Sequence, residues 1–165
     1  MLCDVMIEAQ AWETTEIEAL SEKAALVVLG HLGLTPTDFE IAVLACDDSR
    51  IAELNAEFRE KGGPTNVLSW PDQDLANPGK APTLPDVTNG PFGQSLGDIA
   101  ISFDTCAREA QEARKPFEAH VTHLIVHGCL HLLGYDHVLD TDAARMEGLE
   151  TTILAKLGIP DPYRT

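Results

Sequence analysis

The chain has few basic side chains: 11 lysine and arginine residues stand against 27 aspartate and glutamate residues, for a formal net charge of -16. A general nucleic-acid binder neutralises many phosphates with lysine and arginine on its binding face, so this composition argues against that class. It leaves open a nuclease whose few arginines are concentrated around one site. Any attraction of a nucleic acid must then be local.

A long apolar run is also absent. The longest lies around Ala24 to Leu29 and stops at Gly30, far short of the about 20 residues that a membrane-spanning helix needs. The amino end carries Asp4 and Glu8 and has no basic region followed by an apolar stretch, so it does not resemble a signal peptide. We therefore expect a cytoplasmic protein without membrane contact.

Paired cysteines are missing as well. The four cysteines are scattered along the chain and form no C-x-x-C pair. This pattern is typical of buried, reduced thiols in a cytosolic protein and argues against a disulfide framework. The residues concerned are Cys3, Cys46, Cys106 and Cys129.

The pattern of apolar residues predicts an α/β (α+β) fold. The length of 165 residues fits a single domain covering 1–165, with a small four-stranded mixed sheet packed against about five helices. Proline and glycine between 71 and 95 predict one long irregular loop. The predicted strands are 5–7, 40–46, 66–70 and 96–102.

Cap and stop residues predict where the helices lie. Thr15 and Glu18 have the spacing of a capping box, which predicts that the first helix begins there and runs to Gly33. Ile51, Leu54 and Phe58 form the predicted core face of the second helix. The third and fourth helices are predicted at 104–114 and 116–133, and the last carries Met146, Leu149, Ile153 and Leu157 on one face.

The segment 127–137, HGCLHLLGYDH, has the spacing of a metal site. His127 and His131 are four residues apart on a predicted helix, so their imidazoles share one face and can bind one ion. Gly134 stands where the helix must end, and the chain can then return His137 to the same ion. Three neutral nitrogens leave a fourth coordination position open, which is typical of catalytic zinc.

A helix with several histidines in its core or on its surface is the simpler interpretation. Four of the six histidines fall within fifteen residues, however, and three of them match a known ligand spacing. His123 is a rival ligand, but a straight helix would carry His131 about 12 Å away from it. We therefore expect His123 to lie outside the ligand set. Cys129 points away from the ligands and is expected in the core.

The same spacing occurs in metzincin peptidases, whose motif is HExxHxxGxxH. Those enzymes need a glutamate as general base directly after the first histidine. This chain has Gly128 at that position. The sequence therefore disfavours a zinc peptidase or amidase.

The chain resembles the YbeY family of metal-dependent endoribonucleases. The resemblance covers most of the chain and depends on HGCLHLLGYDH at 127–137, PTNVLSW at 64–70, LGDIAIS at 96–102 and EAHVTHLIV at 118–126. The glycine after the first histidine, together with TNVLSW and LGDI, makes the match specific. The stretch 71–95 departs from the family pattern because it is longer than expected.

The resemblance implies one Zn2+ per chain on His127, His131 and His137, and a catalytic, substrate-binding arginine that matches Arg59. With it, Lys61 is expected to contact the substrate. The family cuts single-stranded RNA near the 3′ end of 16S ribosomal RNA and acts in ribosome quality control. The implied partners are therefore ribosomal RNA and the ribosome or ribosomal proteins, and no DNA is expected.

Arg59 and Asp98 each allow two interpretations from the residues alone. Arg59 is either a cation at a helix end, worth about 0.3–1 kcal/mol, or a planar donor to the scissile phosphate. Asp98 is either a turn residue or a carboxylate that orients a ligand histidine.

The charge imbalance leads to one further hypothesis and one further alternative. We expect some basic residues to converge on a positive groove that leads to the metal. The alternative is a non-catalytic ribosome-binding factor, whose acidic surface meets basic ribosomal proteins. The basic residues concerned are Arg50, Arg59, Lys61, Arg108, Arg114 and Lys115.

Overall fold

Four β-strands form one mixed sheet in the computed structural model, which describes residues 1–59, 62–87 and 93–163 except for the side chain of Arg59. The sheet order is β1-β2-β4-β3, with β1, β2 and β4 parallel and β3 antiparallel to β4 at the edge. The predicted four-stranded mixed sheet is therefore confirmed. The strands are β1 (Cys3–Ile7), β2 (Phe39–Cys46), β3 (Val67–Pro71) and β4 (Gln94–Ser102).

Five α-helices accompany the sheet within the described residues, in agreement with the sequence-based expectation. Two short 3-10 helices, Gln10–Thr14 and Pro36–Asp38, were not predicted because neither shows an apolar period. The first buries Trp12, whose indole N–H donates to the carbonyl oxygen of Cys46 at 2.8 Å. The α-helices are α1 (Ile17–His31), α2 (Asp48–Arg59), α3 (Phe103–Ala113), α4 (Phe117–Leu132) and α5 (Asp140–Lys156).

The two faces of the sheet are covered unequally. Ile99 and Ile101 on β4 belong to the main core, which they share with α1, α4 and α5. Ala100 between them faces the other way and packs with Leu68 and with Leu54 of α2 in a smaller cluster. The histidine-bearing helix α4 therefore lies on the opposite face of the sheet from α2.

Two local predictions are wrong. The capping box at Thr15 does not form: Glu16 is the N-cap of α1, and the Thr15 hydroxyl donates to the carbonyl oxygen of Trp12 at 2.6 Å. Thr15 is instead the C-cap of the preceding 3-10 helix. Phe58 is 57% exposed rather than buried, because α2 covers only part of its face of the sheet, and it rests against the ring of Trp70.

The connection between β3 and β4 begins and ends inside the predicted loop of 71–95. Pro71 still belongs to β3, and 94–95 already belong to β4. The described residues 72–87 form no helix or strand, and 88–92 lie outside the described residues. Leu75 is 6% exposed and anchors this connection against the end of α4.

The cysteines are in the state that the sequence predicts. All four cysteines are buried and unpaired, as predicted, and Cys129 is 1% exposed within the core. In the part of the chain that the structure describes, none of the helices has the length and apolar character that a membrane span requires.

Candidate metal centre

Two histidines of α4 meet at the edge of the sheet. His127 and His131 are one helical turn apart, and their Nε2 atoms are 3.0 Å from each other. Their ring centroids are 4.5 Å apart with nearly perpendicular planes. The spacing of four residues therefore brings both imidazoles to one point, as the sequence predicts.

Gly134 turns the chain back toward this point. Its φ of +95° lies in the region that favours glycine, and its N–H donates to the carbonyl oxygen of His131 at 3.0 Å. The predicted end of the helix at this glycine is confirmed. His137 follows, with its N–H bound to the side chain of Asp136 at 2.7 Å.

The three histidines form one cluster. One nitrogen from each of His127, His131 and His137 lies within 4.8 Å of the other two. His127 and His131 are partly buried, whereas His137 is exposed and opens the cluster to solvent. This set of residues could hold a metal ion.

Glu150, which sequence analysis missed, fixes the orientation of His127. It lies on α5, is fully buried, and one of its carboxylate oxygens is 2.5 Å from Nδ1 of His127. The other oxygen accepts from Nε2 of His123 at 3.3 Å and from the hydroxyl of Tyr163. His123 therefore contacts the carboxylate behind the cluster and does not belong to the trio.

The protonation of Glu150 follows from these contacts. Burial alone would raise the pKa of its carboxyl group, but the hydrogen bonds from His123, His127 and Tyr163 outweigh burial and lower the pKa to about 2. Glu150 is therefore ionised, and an ionised carboxylate only accepts hydrogen bonds. Nδ1 of His127 must carry the proton, which leaves a lone pair on Nε2.

The donor set fits zinc. The free Nε2 of His127 faces Nε2 of His131 at 3.0 Å. Two imidazole nitrogens bound tetrahedrally to one Zn2+ at about 2.0–2.1 Å are about 3.3–3.4 Å apart. Burial, and then the proximity of His127 and His137, lower the pKa of His131 to about 4, so this ligand is neutral at neutral pH. The arrangement of a histidine held by a carboxylate is common among metal ligands.

Two cavities meet at the cluster. One, of about 390 Å³, lies between α4 and the edge strand β3 and is lined by Asn66, Ser69 and the three histidines. The other, of about 750 Å³, lies under the β3–β4 connection and includes Asp72, Asp74 and Asp136. Among the described residues, no carboxylate lines the first cavity, so a phosphate is repelled less there.

The predicted groove of basic residues does not form from the cations whose side chains are described. Arg50 pairs with Glu8 at 3.3 Å, and Arg108 lies 3.8 Å from Asp48. Neither of these, nor Arg114 or Lys115, lines the two cavities at the histidines.

Arg59 and Lys61 are described only in part. Arg59 is the last described residue of α2, and its side chain lies outside the described residues, as does the whole of Lys61. The proposed contact of either residue with substrate therefore stays a prediction.

Asp98 has neither of its two predicted roles. It lies within β4, opposite Trp70 in the register, and is not a turn residue. Its exposed side chain lines a cavity of about 460 Å³ beside Leu54 and Phe58 of α2, on the face of the sheet away from the histidines. Glu150 has the orienting role that was considered for Asp98.

One signal could have identified Glu150. It lies within the apolar face of α5, between the buried residues Met146 and Ile153. A charged residue inside a buried helix face is rare unless it has a partner. The sequence contains no comparable signal for Tyr163, because the contact depends on how the chain folds back after α5.

Comparison with known proteins assigns the chain to a family. Residues 5–158 match the family described as Endoribonuclease YbeY. Relatives with that name include one from Dinoroseobacter shibae, 56% identical over 98% of this chain and 90% of its own length. A relative from a Jannaschia species is 51% identical over 99% of this chain and 100% of its own.

A solved structure supports the same fold. The solution structure of a Thermotoga maritima protein covers 99% of each chain with a TM-score of 0.55, and at 21% identity this likeness concerns the fold alone. The match over 5–158 and the high identity to named relatives are decisive. The chain belongs to the Endoribonuclease YbeY family.

Proposed function

We propose that this protein is a zinc-dependent endoribonuclease specific for single-stranded RNA, acting in 3′-end maturation of 16S ribosomal RNA and in ribosome quality control. The observation that carries the proposal is the cluster of His127, His131 and His137 in a chain of this family. The name of the relatives supplies the endonuclease activity on RNA. Strand specificity, the ribosomal substrate and the cytoplasmic location follow from the family resemblance.

In this proposal one Zn2+ per chain is held by the three histidines. When bound, zinc supplies a Lewis acid for a phosphoryl oxygen and lowers the pKa of water toward ~7. Glu150 keeps His127 turned toward the other two ligands. Since no carboxylate lines the 390 Å³ cavity among the described residues, the chain offers no general base of that kind there.

Arg59 has the proposed catalytic role at the phosphate, with Lys61 as a second substrate contact. A guanidinium donates planar, paired hydrogen bonds to phosphate oxygens, where negative charge grows during the reaction. We expect Arg59→Ala to fold and bind zinc but to lose most cleavage. Arg50→Ala is the matched control, because Arg50 lies at the other end of α2 and pairs with Glu8. Full activity of Arg59→Ala would leave only the helix-end role.

A cleavage assay tests the proposed function. The substrates are a single-stranded RNA, its duplex and a single-stranded DNA of the same sequence, and we expect only the first to be cut. His131→Ala should abolish cleavage, whereas His31→Ala, a histidine at the end of α1 outside the cluster, should retain it. A wild-type protein that binds RNA or ribosomes and cuts nothing would favour the non-catalytic ribosome-binding alternative.

Metal analysis tests the ligand set. We expect about one zinc per chain, lost in His127→Ala and His137→Ala. In His123→Ala the zinc content should be largely retained, although the affinity falls, because His123 contacts Glu150 instead of the cluster. Zinc retained by His137→Ala but lost by His123→Ala would contradict this assignment.

The structure disfavours the peptidase alternative. Gly128 is buried against β4, and a Cβ atom there would lie 3.1 Å from Cδ1 of Ile99. Gly128 lines the same cavity as the three histidines but has no side chain that could act as a base. The base that a metzincin-like peptidase needs after its first histidine is therefore missing at this position.

A further inference from the structure

The segment after α5 folds back along that helix. Gly158, with φ of +77°, permits the reversal. The carboxylate of Asp161 then accepts from the hydroxyl of Thr151 at 3.2 Å and from the N–H of Tyr163 at 2.9 Å. Lys115 of the α3–α4 connection donates to the carbonyl oxygen of residue 162 at 3.3 Å. These contacts return Tyr163 to the middle of α5.

Tyr163 stands with its hydroxyl inside the protein and its ring at the surface. The hydroxyl donates to the carboxylate of Glu150, while the side of the ring meets His123 with centroids 5.7 Å apart. The residue as a whole is 46% exposed and lines the 390 Å³ cavity together with the histidine cluster. Tyr163 therefore lines the cavity at the histidine cluster and also contacts the carboxylate of Glu150.

Both oxygens of the Glu150 carboxylate accept hydrogen bonds. Oε1 accepts from Nδ1 of His127 at 2.5 Å, and Oε2 accepts from Tyr163 and from His123 at 3.3 Å. Glu150 has no exposed surface, so water does not replace a missing donor in this arrangement. A buried charge that loses a hydrogen-bond partner shifts to recover one. Any such shift of Oε2 also moves Oε1, on which the orientation of His127 depends.

We propose that Tyr163 is a positioning residue of the metal centre. Its hydroxyl fixes the Glu150 carboxylate, which in turn holds His127 as the Nδ1–H tautomer with Nε2 turned toward His131. The inference rests on the metal site of the proposed function. It assigns the carboxyl-terminal segment a part in that site, because a partner that orients a ligand contributes to metal affinity.

Removal of one hydroxyl group tests this role. In Tyr163→Phe we expect zinc affinity to fall about tenfold, at the lower end of the range for such outer partners. Tyr135→Phe is the matched control: among the described residues the Tyr135 hydroxyl makes no hydrogen bond, so the zinc affinity of this variant should equal that of the wild type. Affinity is measured by competition for zinc with a chromophoric chelator.

A second measurement needs neither zinc nor RNA. Nitrogen-15 NMR of the imidazoles in the metal-free protein reports the tautomer of each histidine. We expect a single Nδ1–H form of His127 in the wild type and in Tyr135→Phe, and a mixture of tautomers in Tyr163→Phe. Wild-type affinity together with a wild-type tautomer in Tyr163→Phe would overturn the inference. A lower melting temperature without either change would overturn it too, because it would show packing alone.

The outcomes separate this inference from the proposed function. A wild-type protein that binds zinc but leaves RNA intact contradicts the nuclease proposal, and the role of Tyr163 is still decided by affinity and tautomer. Normal RNA cleavage by the wild type with unchanged zinc affinity in Tyr163→Phe contradicts the role of Tyr163 alone. A wild-type protein without zinc affinity contradicts both.

Discussion

Replacement of Gly134 by alanine should damage both the stability of the fold and the metal centre. The position has φ of +95°, which costs an alanine about 1–2 kcal/mol. In addition, the new Cβ would lie 2.9 Å from both Leu75 and Pro82 of the β3–β4 connection, and overpacking of this kind costs about 1–3 kcal/mol. Together, backbone strain and overpacking should lower the free energy of unfolding by about 2–5 kcal/mol. Relief of the overlap must also displace the turn that delivers His137.

Two other glycines separate these contributions. Gly158 also has a positive φ, of +77°, but a Cβ there meets nothing within 4 Å, so Gly158→Ala should cost only the backbone strain of about 1–2 kcal/mol. Gly148 lies within α5 in open space with no positive φ. Gly148→Ala should therefore stabilise the protein by about 0.4–1 kcal/mol.

The assay is thermal unfolding of the four proteins in a metal chelator, followed by zinc affinity. At about 2–4 °C per kcal/mol for a chain of this size, Gly134→Ala should melt about 4–20 °C below the wild type. Zinc affinity should fall in Gly134→Ala and be unchanged in Gly148→Ala. The prediction is contradicted if Gly134→Ala has the same melting temperature as Gly158→Ala and binds zinc as tightly as the wild type.

Three further predictions concern charge. Glu150→Gln should weaken zinc binding about 10–100-fold, more than Tyr163→Phe does, because it removes the acceptor itself; chelator competition on both variants gives the order. Burial alone would raise the pKa of Asp48, but hydrogen bonds from Ser102 and Thr105 outweigh it and lower the pKa below its usual value. The ionised form therefore stabilises the fold above about pH 4, and this contribution is lost as the pH falls through the lowered pKa, so urea unfolding at a series of pH values should show a smaller acid loss in Asp48→Asn. RNA affinity should depend weakly on salt, with a slope of about 0.7 per phosphate contacted, and a slope typical of many contacts would contradict the sparse basic residues at the cavities.

The histidine cluster was predictable because its determinants are local. The separation of His127 and His131 by four residues places them together on any α-helix, and Gly134 supplies the one backbone conformation that ends the helix there. No knowledge of the rest of the fold is needed for this step. The alternation of strands and helices likewise predicted the sheet, although its strand order depends on contacts that no local pattern contains.

The orientation of the ligands was not predictable in the same way. Glu150 meets His127 only because α5 packs against α4, and Tyr163 meets Glu150 only because the last segment reverses. Phe58 shows the opposite error: the helical period of α2 marks it as a core residue, but α2 covers only part of its face of the sheet and leaves Phe58 at the side of an open cavity. Periodicity identifies the apolar face of a helix but does not show how far the neighbouring layer extends.

The positions of these residues along the chain have a consequence for biosynthesis. The three histidines of the cluster, Glu150 and Tyr163 all lie between 127 and 163, after the last strand of the sheet. Translation therefore delivers the sheet before the histidine cluster, in keeping with the tendency of the amino-terminal part of a nascent chain to fold first. In the proposed function, such a protein acquires the means to cut ribosomal RNA only after all four strands of its sheet have been synthesised.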